Sequence, residues 1–322
     1  MDAPRGASND EGIEQLMSEE PIEHGEPKAP SNLATGLIKA IRPRQWVKNV
    51  LVVVAPLAAG RDQLEFVNFG NVGIAFIAFC LAASSIYLIN DALDVEADRA
   101  HPTKRYRPIA AGVVPVNLAY VLSFLFGAGA IAVSLLANKE LAIVIAAYIV
   151  IQLGYCFGLK HQAVIDICIV SSGFLLRAVA GGVAAELPKG LSQWFLLVMA
   201  FGSLFMAAGK RYAELQLAER TGAKIRKSLE YYTTSYLRFV WTLAATAVVL
   251  CYGMWAFDTT KHPDNIWYAL SMVPFTVAIL RYAVDVDGGE AGEPEEIALG
   301  DRVLQVLAIA WIGTVVAAVY FA

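Results

Sequence analysis

Three aspartates with helical spacing are the residues of this chain best suited to chemistry. Asp91, Asp94 and Asp98 stand at positions i, i+3 and i+7 between Asn90 and Arg99, so a helix would place them along one face over about two turns. Like charges this close repel each other, and desolvating them at the end of an apolar block is costly. We predict that they bind Mg²⁺, which prefers oxygen ligands; ordinary acids at a solvated helix end are the alternative.

A basic run follows these aspartates and holds Lys104 and Arg107 between Pro102 and Pro108. A diphosphate needs such cations, because a metal ion can bind one side of it while Lys or Arg binds the other. The alternative is an anchor at the lipid headgroups. We favour the pocket for Lys104 and Arg107, and both interpretations stay open for Arg105.

A second charged cluster follows the sixth apolar block and consists of Lys210, Arg211, Tyr212 and Glu214. Lys210 and Glu214 are four residues apart, so they share one face of a helix. A salt bridge on the helix surface would explain that pair. We favour the other interpretation, in which these residues contact a phosphorylated substrate.

One arginine, Arg177, lies inside the fifth apolar block. A charged residue within a membrane span is a functional candidate because burying it in lipid is costly. Asp166 begins the same block, but eleven residues of helix separate the two by roughly 16 Å. We therefore predict that Arg177 faces a different buried anion.

The first apolar block opens with cations and a tryptophan. An anchor at the membrane interface explains Arg42 and Trp46. Lys48 and Asn49 lie about a turn further into the block. They are better candidates for contacting a substrate, although anchoring explains them equally well.

The elements that must position these residues are apolar blocks. The chain has 322 residues, of which 57% are hydrophobic and 17% charged, against roughly a quarter charged in soluble domains. Blocks of about 20 apolar residues cross a bilayer. We count nine, at residues 46–60, 70–93, 116–137, 141–159, 164–185, 192–209, 236–257, 266–284 and 303–322.

Basic residues set the predicted orientation. The segment before the first block and the connections 94–115 and 210–235 are basic, and the fourth connection carries Lys160. Each opposite connection up to the eighth block carries one basic residue. Cytoplasmic loops carry the excess of Lys and Arg. We therefore place the N-terminus and both charged clusters on the cytoplasmic side of the membrane.

The ends and the cysteines add two expectations. Residues 1–36 are polar and rich in Pro, Gly, Glu and Ser, so we predict a disordered cytoplasmic segment followed by a catalytic domain of nine transmembrane helices at 37–322. The four cysteines form no CxxC pair and are interpreted as buried free thiols.

The pattern Asn90-Asp91-x-x-Asp94-x-x-x-Asp98 resembles the first aspartate-rich motif of the UbiA superfamily of intramembrane prenyltransferases. The nine spans, the segment Arg177-x-x-Ala180-Gly181 and the charged connection after the sixth span are also similar, so the resemblance covers most of the chain. The longer runs at residues 42–50 and 87–112 resemble the branch of the superfamily that transfers phosphoribosyl groups.

One departure supports that branch. Typical members of the superfamily carry a second aspartate-rich motif after the sixth span. Here residues 210–214 supply one acid and two bases. Such a cluster suits a substrate with anionic groups beyond its pyrophosphate.

The resemblance implies an all-α membrane protein, a UbiA-like bundle around a cytoplasm-facing cavity, in the plasma membrane. The implied reaction joins phosphoribosyl pyrophosphate to decaprenyl phosphate, or another polyprenyl phosphate, with Mg²⁺ and release of pyrophosphate, for arabinan synthesis in the cell wall. The implied catalytic residues are Asp91, Asp94, Asp98 and Lys210. The implied substrate-binding residues are Lys48, Asn90, Arg99, Lys104, Arg107, Lys160, Arg177, Arg211, Tyr212 and Glu214.

The expected partners are the two substrates and membrane lipids, without nucleic acid, and homo-oligomer formation stays open. Two other functions compete with this one. The first is prenylation of an aromatic acceptor by a polyprenyl diphosphate, as in the quinone-type members of the superfamily. The second is transport or lipid binding without chemistry.

Overall fold

Helices account for all the regular secondary structure in the residues that the structure describes. This computed structural model describes residues 29–57, 67–222, 227–257, 266–289, 297 and 300–320, so the disorder predicted for residues 1–28 lies outside the described residues. The α-helices are α1 (Leu33–Ala40), α2 (Val50–Leu57), α3 (Phe69–Leu93), α4 (Val95–Arg99), α5 (Val116–Ser134), α6 (Lys139–Cys156), α7 (Ile165–Ala184), α8 (Gln193–Thr221), α9 (Thr234–Ala256), α10 (Ile266–Gly288) and α11 (Arg302–Tyr320). Short 3₁₀ helices span Pro43–Asn49, Lys104–Tyr106, Leu159–His161 and Lys227–Tyr231.

Seven of these helices, α3 and α5 to α10, are long and apolar enough to cross a membrane. The first and last predicted spans correspond to shorter apolar stretches, Val50–Leu57 and Arg302–Ala318. Residues 58–66, which would extend the first span, lie outside the described residues. An all-helical architecture with multiple spans is therefore confirmed for the described residues, while the count of nine and the cytoplasm-facing cavity stay predictions.

Helix α1 begins within the last residues of the segment 1–36. Helix α1 begins at Leu33, because Asn32 caps it: the backbone N–H of Thr35 donates to Asn32 Oδ1 at 2.9 Å. The Thr35 side chain accepts in return from the backbone N–H of Asn32 at 3.4 Å. Such a reciprocal cap satisfies N–H groups that a helix start leaves unpaired.

Helix α3 is the most buried of the seven candidate membrane-spanning helices in the described residues. It is buried on several sides through small residues, which allow neighbouring helices to approach closely; they include Ala75, Ala78, Ala82 and Ala83. On the side facing α5, Ser85 Oγ donates to the backbone carbonyl of Ser123 at 2.7 Å, and Ser123 Oγ donates to that of Ser85 at 2.9 Å. These contacts fix the helix whose last turn carries Asp91.

Buried apolar side chains form two large clusters, one in each half of the bundle. The first joins α2, α3, α5, α6 and α7 and includes Phe79 and Ile145. The second joins α7 to α11 and includes Phe205 and Trp241. Helix α7 contributes to both clusters, so it connects the half that carries the aspartates with the half that carries Lys210.

Helix α2 packs against α7 at Gly181. A Cβ atom added to Gly181 would lie 2.1 Å from the carbonyl oxygen of Val52. Backbone atoms cannot move away as a flexible side chain can, so this position requires glycine. The contact matters for the site because α2 directly follows the Pro43–Asn49 segment.

We predict that Gly181→Ala lowers the free energy of unfolding by roughly 1–3 kcal/mol, because the added methyl group overpacks the contact with α2. Thermal unfolding in detergent measures the change. Gly73→Ala is the matched control, since nothing lies within 4 Å of a Cβ atom there and alanine favours the helix. Equal melting temperatures for the two variants would contradict the prediction.

Candidate active site

The three aspartates lie on one nearly continuous helical path. Helix α3 ends at Leu93, yet the backbone N–H of Asp94 donates to the Asn90 carbonyl at 3.0 Å, and that of Asp98 donates to the Asp94 carbonyl at 2.8 Å. Asp91 and Asp98 are buried and Asp94 is half-buried. The helical spacing read from the sequence is therefore present in the structure.

Two arginines neutralise the buried pair of carboxylates. Arg42 Nη2 donates to both oxygens of Asp91 at 2.7 Å. Arg107 Nη1 bridges Asp91 Oδ1 at 3.2 Å and Asp98 Oδ2 at 2.7 Å. Because one nitrogen contacts both carboxylates, a single positively charged group can bind Asp91 and Asp98 at the same time.

A lysine from another connection neutralises the third carboxylate. Lys160 Nζ donates to Asp94 Oδ1 and Oδ2 at 2.6 and 2.7 Å, and to Asn90 Oδ1 at 3.4 Å. Three carboxylates and three cations thus form one group, which we call the aspartate cluster: Asp91, Asp94, Asp98, Arg42, Arg107 and Lys160. Its formal charges cancel.

Arg42 has a different position from the interface anchor that the sequence suggested. Its backbone is left-handed, with φ 54°, which is uncommon for a residue other than glycine. Its guanidinium lies 4.8 Å from the ring centre of Tyr87. Trp46 Nε1 donates to Ser84 Oγ at 3.1 Å, and this hydroxyl donates to the Ile41 carbonyl at 2.9 Å. These bonds to α3 hold the segment so that Arg42 reaches Asp91.

A second buried group surrounds Asp166, which is fully buried. Arg211 Nε donates to Asp166 Oδ2 at 3.2 Å, and Arg211 Nη1 pairs with Glu214 at 3.1 Å. Tyr232, which follows the 3₁₀ helix Lys227–Tyr231, donates its hydroxyl to Asp166 Oδ1 at 2.7 Å. These four residues are called the Asp166 network. Asp166 is thus paired with Arg211 and not with Arg177.

Tyr232 connects the Asp166 network to the aspartate cluster. Its hydroxyl accepts a hydrogen bond from the backbone N–H of Val164, whose φ of 70° is strained for a β-branched residue. Burial, and next the bond to Asp166, raise the pKa of Tyr232, so the hydroxyl stays a donor at neutral pH. The bond from Val164 to Tyr232 holds the turn that carries Lys160. No pattern in the sequence indicates this role for Tyr232.

The structure separates the predicted residues after the sixth span: Arg211 and Glu214 belong to the Asp166 network, whereas Tyr212 contacts other residues. Glu214 pairs with its i, i+3 neighbour Arg211 at 3.1 Å, so Arg211 and not Lys210 forms the ion pair that the structure shows for this carboxylate. Lys210 is half-buried. The hydroxyl of Tyr212 instead accepts from Arg238 at 2.6 Å and donates to Asp287 at 3.2 Å.

The expectation that Arg177 faces a buried anion is wrong for the described residues. Its Nε donates to Asn49 Oδ1 at 2.7 Å and its Nη1 donates to the Gly173 carbonyl at 2.7 Å. The guanidinium also lies 5.3 Å from the ring centres of Phe79 and Tyr148. Aromatic faces attract a cation electrostatically, so these rings take the place of an anion.

The three remaining predicted cations are Arg99, Lys48 and Lys104. Arg99 is exposed, pairs with Glu96 at 2.7 Å and donates from Nε to the Ala110 carbonyl at 3.1 Å. Lys48 and Lys104 are half-buried. Their contact with a substrate stays a prediction.

The match to known proteins is specific. The UbiA prenyltransferase family matches residues 50–299. The chain belongs to this family. A decaprenyl-phosphate phosphoribosyltransferase from Mycolicibacterium smegmatis is 68% identical over 93% of this chain and 98% of that protein. A protein of the same name from Corynebacterium glutamicum is 64% identical over 90% of this chain and 89% of its own length.

A solved structure shows the same fold. A UbiA homolog from Archaeoglobus fulgidus, bound to GPP and Mg²⁺, superimposes with a TM-score of 0.66 over 88% of this chain and 98% of its own. The two sequences are only 13% identical, so this likeness concerns the fold alone. Together with the apolar helices, family membership makes this chain a multi-pass membrane protein.

We predict that Tyr232→Phe loosens the turn that carries Lys160. Without the hydroxyl, the buried Asp166 carboxylate and the Val164 N–H lose a partner, which costs roughly 1–3 kcal/mol for each unsatisfied group. Hydrogen–deuterium exchange of peptides covering residues 159–166 should therefore be faster. Tyr236→Phe is the control, because Tyr236 stacks on Tyr232 at 5.9 Å and is exposed. Unchanged exchange in Tyr232→Phe would refute the connection.

Proposed function

We propose that this chain transfers a 5-phosphoribosyl group from phosphoribosyl pyrophosphate to decaprenyl phosphate and releases pyrophosphate. Two relatives that are 64% and 68% identical over nearly their whole length carry the name decaprenyl-phosphate phosphoribosyltransferase. The observation that carries the proposal is the aspartate cluster, in which three carboxylates and three cations lie within ion-pair distance. A magnesium diphosphate needs both kinds of group.

The donor atoms of the cluster fit Mg²⁺. Within the described residues no acidic, histidine or cysteine side chains converge as a ready-made metal site. Asp91 and Asp98 nevertheless already share one cationic nitrogen of Arg107, and Asp94 adds another carboxylate nearby. We propose that these three aspartates hold Mg²⁺, with Asn90 orienting the ligands. When bound, the metal would stabilise negative charge on the departing pyrophosphate.

Substrate binding would then exchange partners within the cluster. The carboxylates would turn from the basic side chains to the metal, while Arg42, Arg107 and Lys160 would turn to the phosphate oxygens. Because the charges cancel beforehand, a metal ion or a diphosphate alone must compete with existing ion pairs. When the metal ion and the diphosphate bind together, every charged group has a partner. We therefore expect the two ligands to bind cooperatively.

The reaction itself requires little proton transfer. The bond between C1 of the ribose and the pyrophosphate oxygen breaks, and its electron pair leaves with pyrophosphate. Arg42 and Arg107 would stabilise this developing charge, which is the main contribution that fixed cations make to catalysis. An oxygen of the lipid phosphate forms the new bond to C1. That oxygen is already anionic, so no general base is required.

The residues after the sixth span would take two roles. Arg211 is buried and bonded to Asp166 and Glu214, so it would position the site and not bind a phosphate directly. Lys210 is half-buried and forms no ion pair within the described residues. Lys210 would therefore bind the 5′-phosphate or the lipid phosphate.

The membrane arrangement completes the proposal. We propose nine spans, with α2 and α11 completed as the first and last, and the aspartate cluster on the cytoplasmic side of the plasma membrane. The basic residues near the cluster follow the positive-inside rule. Phosphoribosyl pyrophosphate is water-soluble, so a cytoplasmic site gives it direct access, while the lipid acceptor enters from the bilayer.

A labelled-donor assay tests the proposed function. Membranes that contain the protein should move radiolabel from phosphoribosyl pyrophosphate into the lipid phase when decaprenyl phosphate and Mg²⁺ are present. Asp91→Asn should lower the rate by about 10²–10³-fold, since it removes a metal ligand and unpairs Arg42. Glu96→Gln is the control, because this acid is in the same segment with its side chain 79% exposed.

Two outcomes would contradict the proposal. Label that stays water-soluble while an aromatic acid is prenylated by a polyprenyl diphosphate would indicate the quinone-type reaction. Equal rates for Asp91→Asn and the parent protein would remove the aspartate cluster from the chemistry.

A charge change at Lys160 tests the exchange of partners. Lys160→Met unpairs Asp94, so Mg²⁺ alone should bind roughly tenfold more tightly and pyrophosphate with Mg²⁺ roughly tenfold more weakly. Calorimetric titration of the purified protein measures both affinities. Lys139→Met removes the same charge at the other end of α6 and should change neither. A parallel change of both affinities in Lys160→Met would contradict the exchange.

A further inference from the structure

A polar cavity lies between α8 and α9, away from the aspartate cluster. Its volume is about 250 Å³, and Tyr212, Glu219, Ser235 and Arg238 contribute to its walls. A groove of about 400 Å³ continues from it along α9 past Phe239 and Leu243. Ser235 and Arg238 line both spaces. A polar pocket that continues into an apolar groove on the outside of a membrane helix suits a lipid. The headgroup would occupy the pocket and an acyl chain would follow the groove.

Arg238 is the cation of this cavity. Its side chain is 57% exposed. It contacts the Tyr212 hydroxyl at 2.6 Å and Asp287 at 2.9 Å, both through Nη2. Nη1 and Nε therefore have no acceptor among the described residues. Their free N–H groups can donate to a phosphate, which guanidinium groups bind through paired hydrogen bonds.

Aromatic residues indicate the depth of Arg238 in the membrane. Tyr231, shortly before α9, is 73% exposed, and Tyr236 and Phe239, in the first turns of α9, are 40% and 60% exposed. Exposed tyrosines concentrate at the level of the lipid headgroups. Arg238 lies within this belt, so its free donors are at the depth of lipid phosphates, while Leu243 lies further along the helix beside the acyl chains.

An acidic residue in the cavity restricts which lipid headgroup can bind there. Glu219 is exposed and forms no ion pair within the described residues. A purely anionic headgroup would satisfy Arg238 but would be repelled by Glu219. A headgroup with a phosphate and a primary ammonium satisfies both, because the ammonium donates hydrogen bonds to the carboxylate. A quaternary ammonium has the same charge and no N–H donor.

We propose that this cavity binds one phosphatidylethanolamine molecule from the membrane. Its phosphate accepts from Arg238, its ammonium donates to Glu219, and one acyl chain follows the groove past Phe239 and Leu243. The site is separate from the aspartate cluster, because the ring of Tyr212 is fully buried and neighbouring Arg211 faces Asp166 on another side of α8. The bound lipid is therefore an accessory ligand and not the acceptor.

Native mass spectrometry of the purified full-length protein tests this inference. The protein is mixed with equal amounts of dioleoyl phosphatidylethanolamine, phosphatidylcholine and phosphatidylglycerol. We expect one phosphatidylethanolamine per chain to be retained in preference to the other two lipids. Arg238→Gln should weaken its retention about tenfold, the factor for losing a charge-assisted hydrogen bond.

A second variant keeps the test valid if Arg238→Gln folds poorly. Glu219→Gln changes an exposed side chain and should remove the preference for phosphatidylethanolamine over phosphatidylglycerol while lipid still binds. Arg281→Gln is the control for the loss of one cation, because Arg281 is on α10 with its side chain 42% exposed and pairs with Asp301. That variant should retain phosphatidylethanolamine like the parent protein.

Three outcomes would overturn the inference. One is equal retention of the three lipids by the parent protein. Another is unchanged retention of phosphatidylethanolamine in both Arg238→Gln and Glu219→Gln. The third is displacement of phosphatidylethanolamine by decaprenyl phosphate at equal concentration, which would make the cavity an acceptor site. None of these measurements depends on enzymatic activity, so they are independent of the proposed function.

Discussion

Charge neutralisation at the end of a central membrane helix is the constraint on which the rest of this structure depends. Two of the three aspartates are buried, and a buried carboxylate without a partner is strongly unfavourable. Arg42, Arg107 and Lys160 come from three separate segments. Each segment must therefore be held in place, because the loss of one cation would leave three carboxylates with only two positive charges.

The surrounding helices supply that support. Small residues let the neighbours of α3 pack closely, and Trp46, through Ser84, ties the segment of Arg42 to α3. In the other half, Tyr232 holds the turn of Lys160 through the backbone of Val164. The Asp166 network is thus a structural counterpart to the aspartate cluster. It joins the two halves of the bundle at the end where the proposed chemistry takes place.

The same pairing prepares the cluster for a ligand that carries both signs of charge. Protein groups that can hold the metal and groups that can hold the phosphates already lie beside one another, so they need to exchange partners and not to assemble. Where the resemblance to the superfamily leads us to expect a second aspartate motif, this chain has Lys210 and Arg211. The fold is shared with distant UbiA homologs, while the basic Lys210 suits the additional phosphate groups of the substrates that we propose.

The sequence alone determined the features that depend only on residues close together along the chain. Apolar blocks identify the spans because bilayer thickness fixes their length, and the spacing of Asp91, Asp94 and Asp98 is decided by the helix itself. The tertiary structure alone decided which charges meet. Arg42 reaches Asp91 across 49 residues and Lys160 reaches Asp94 across 66, whereas Arg177 meets aromatic rings and not an anion. Those pairings depend on how helices pack and rotate against each other, which spacing along a single segment does not encode.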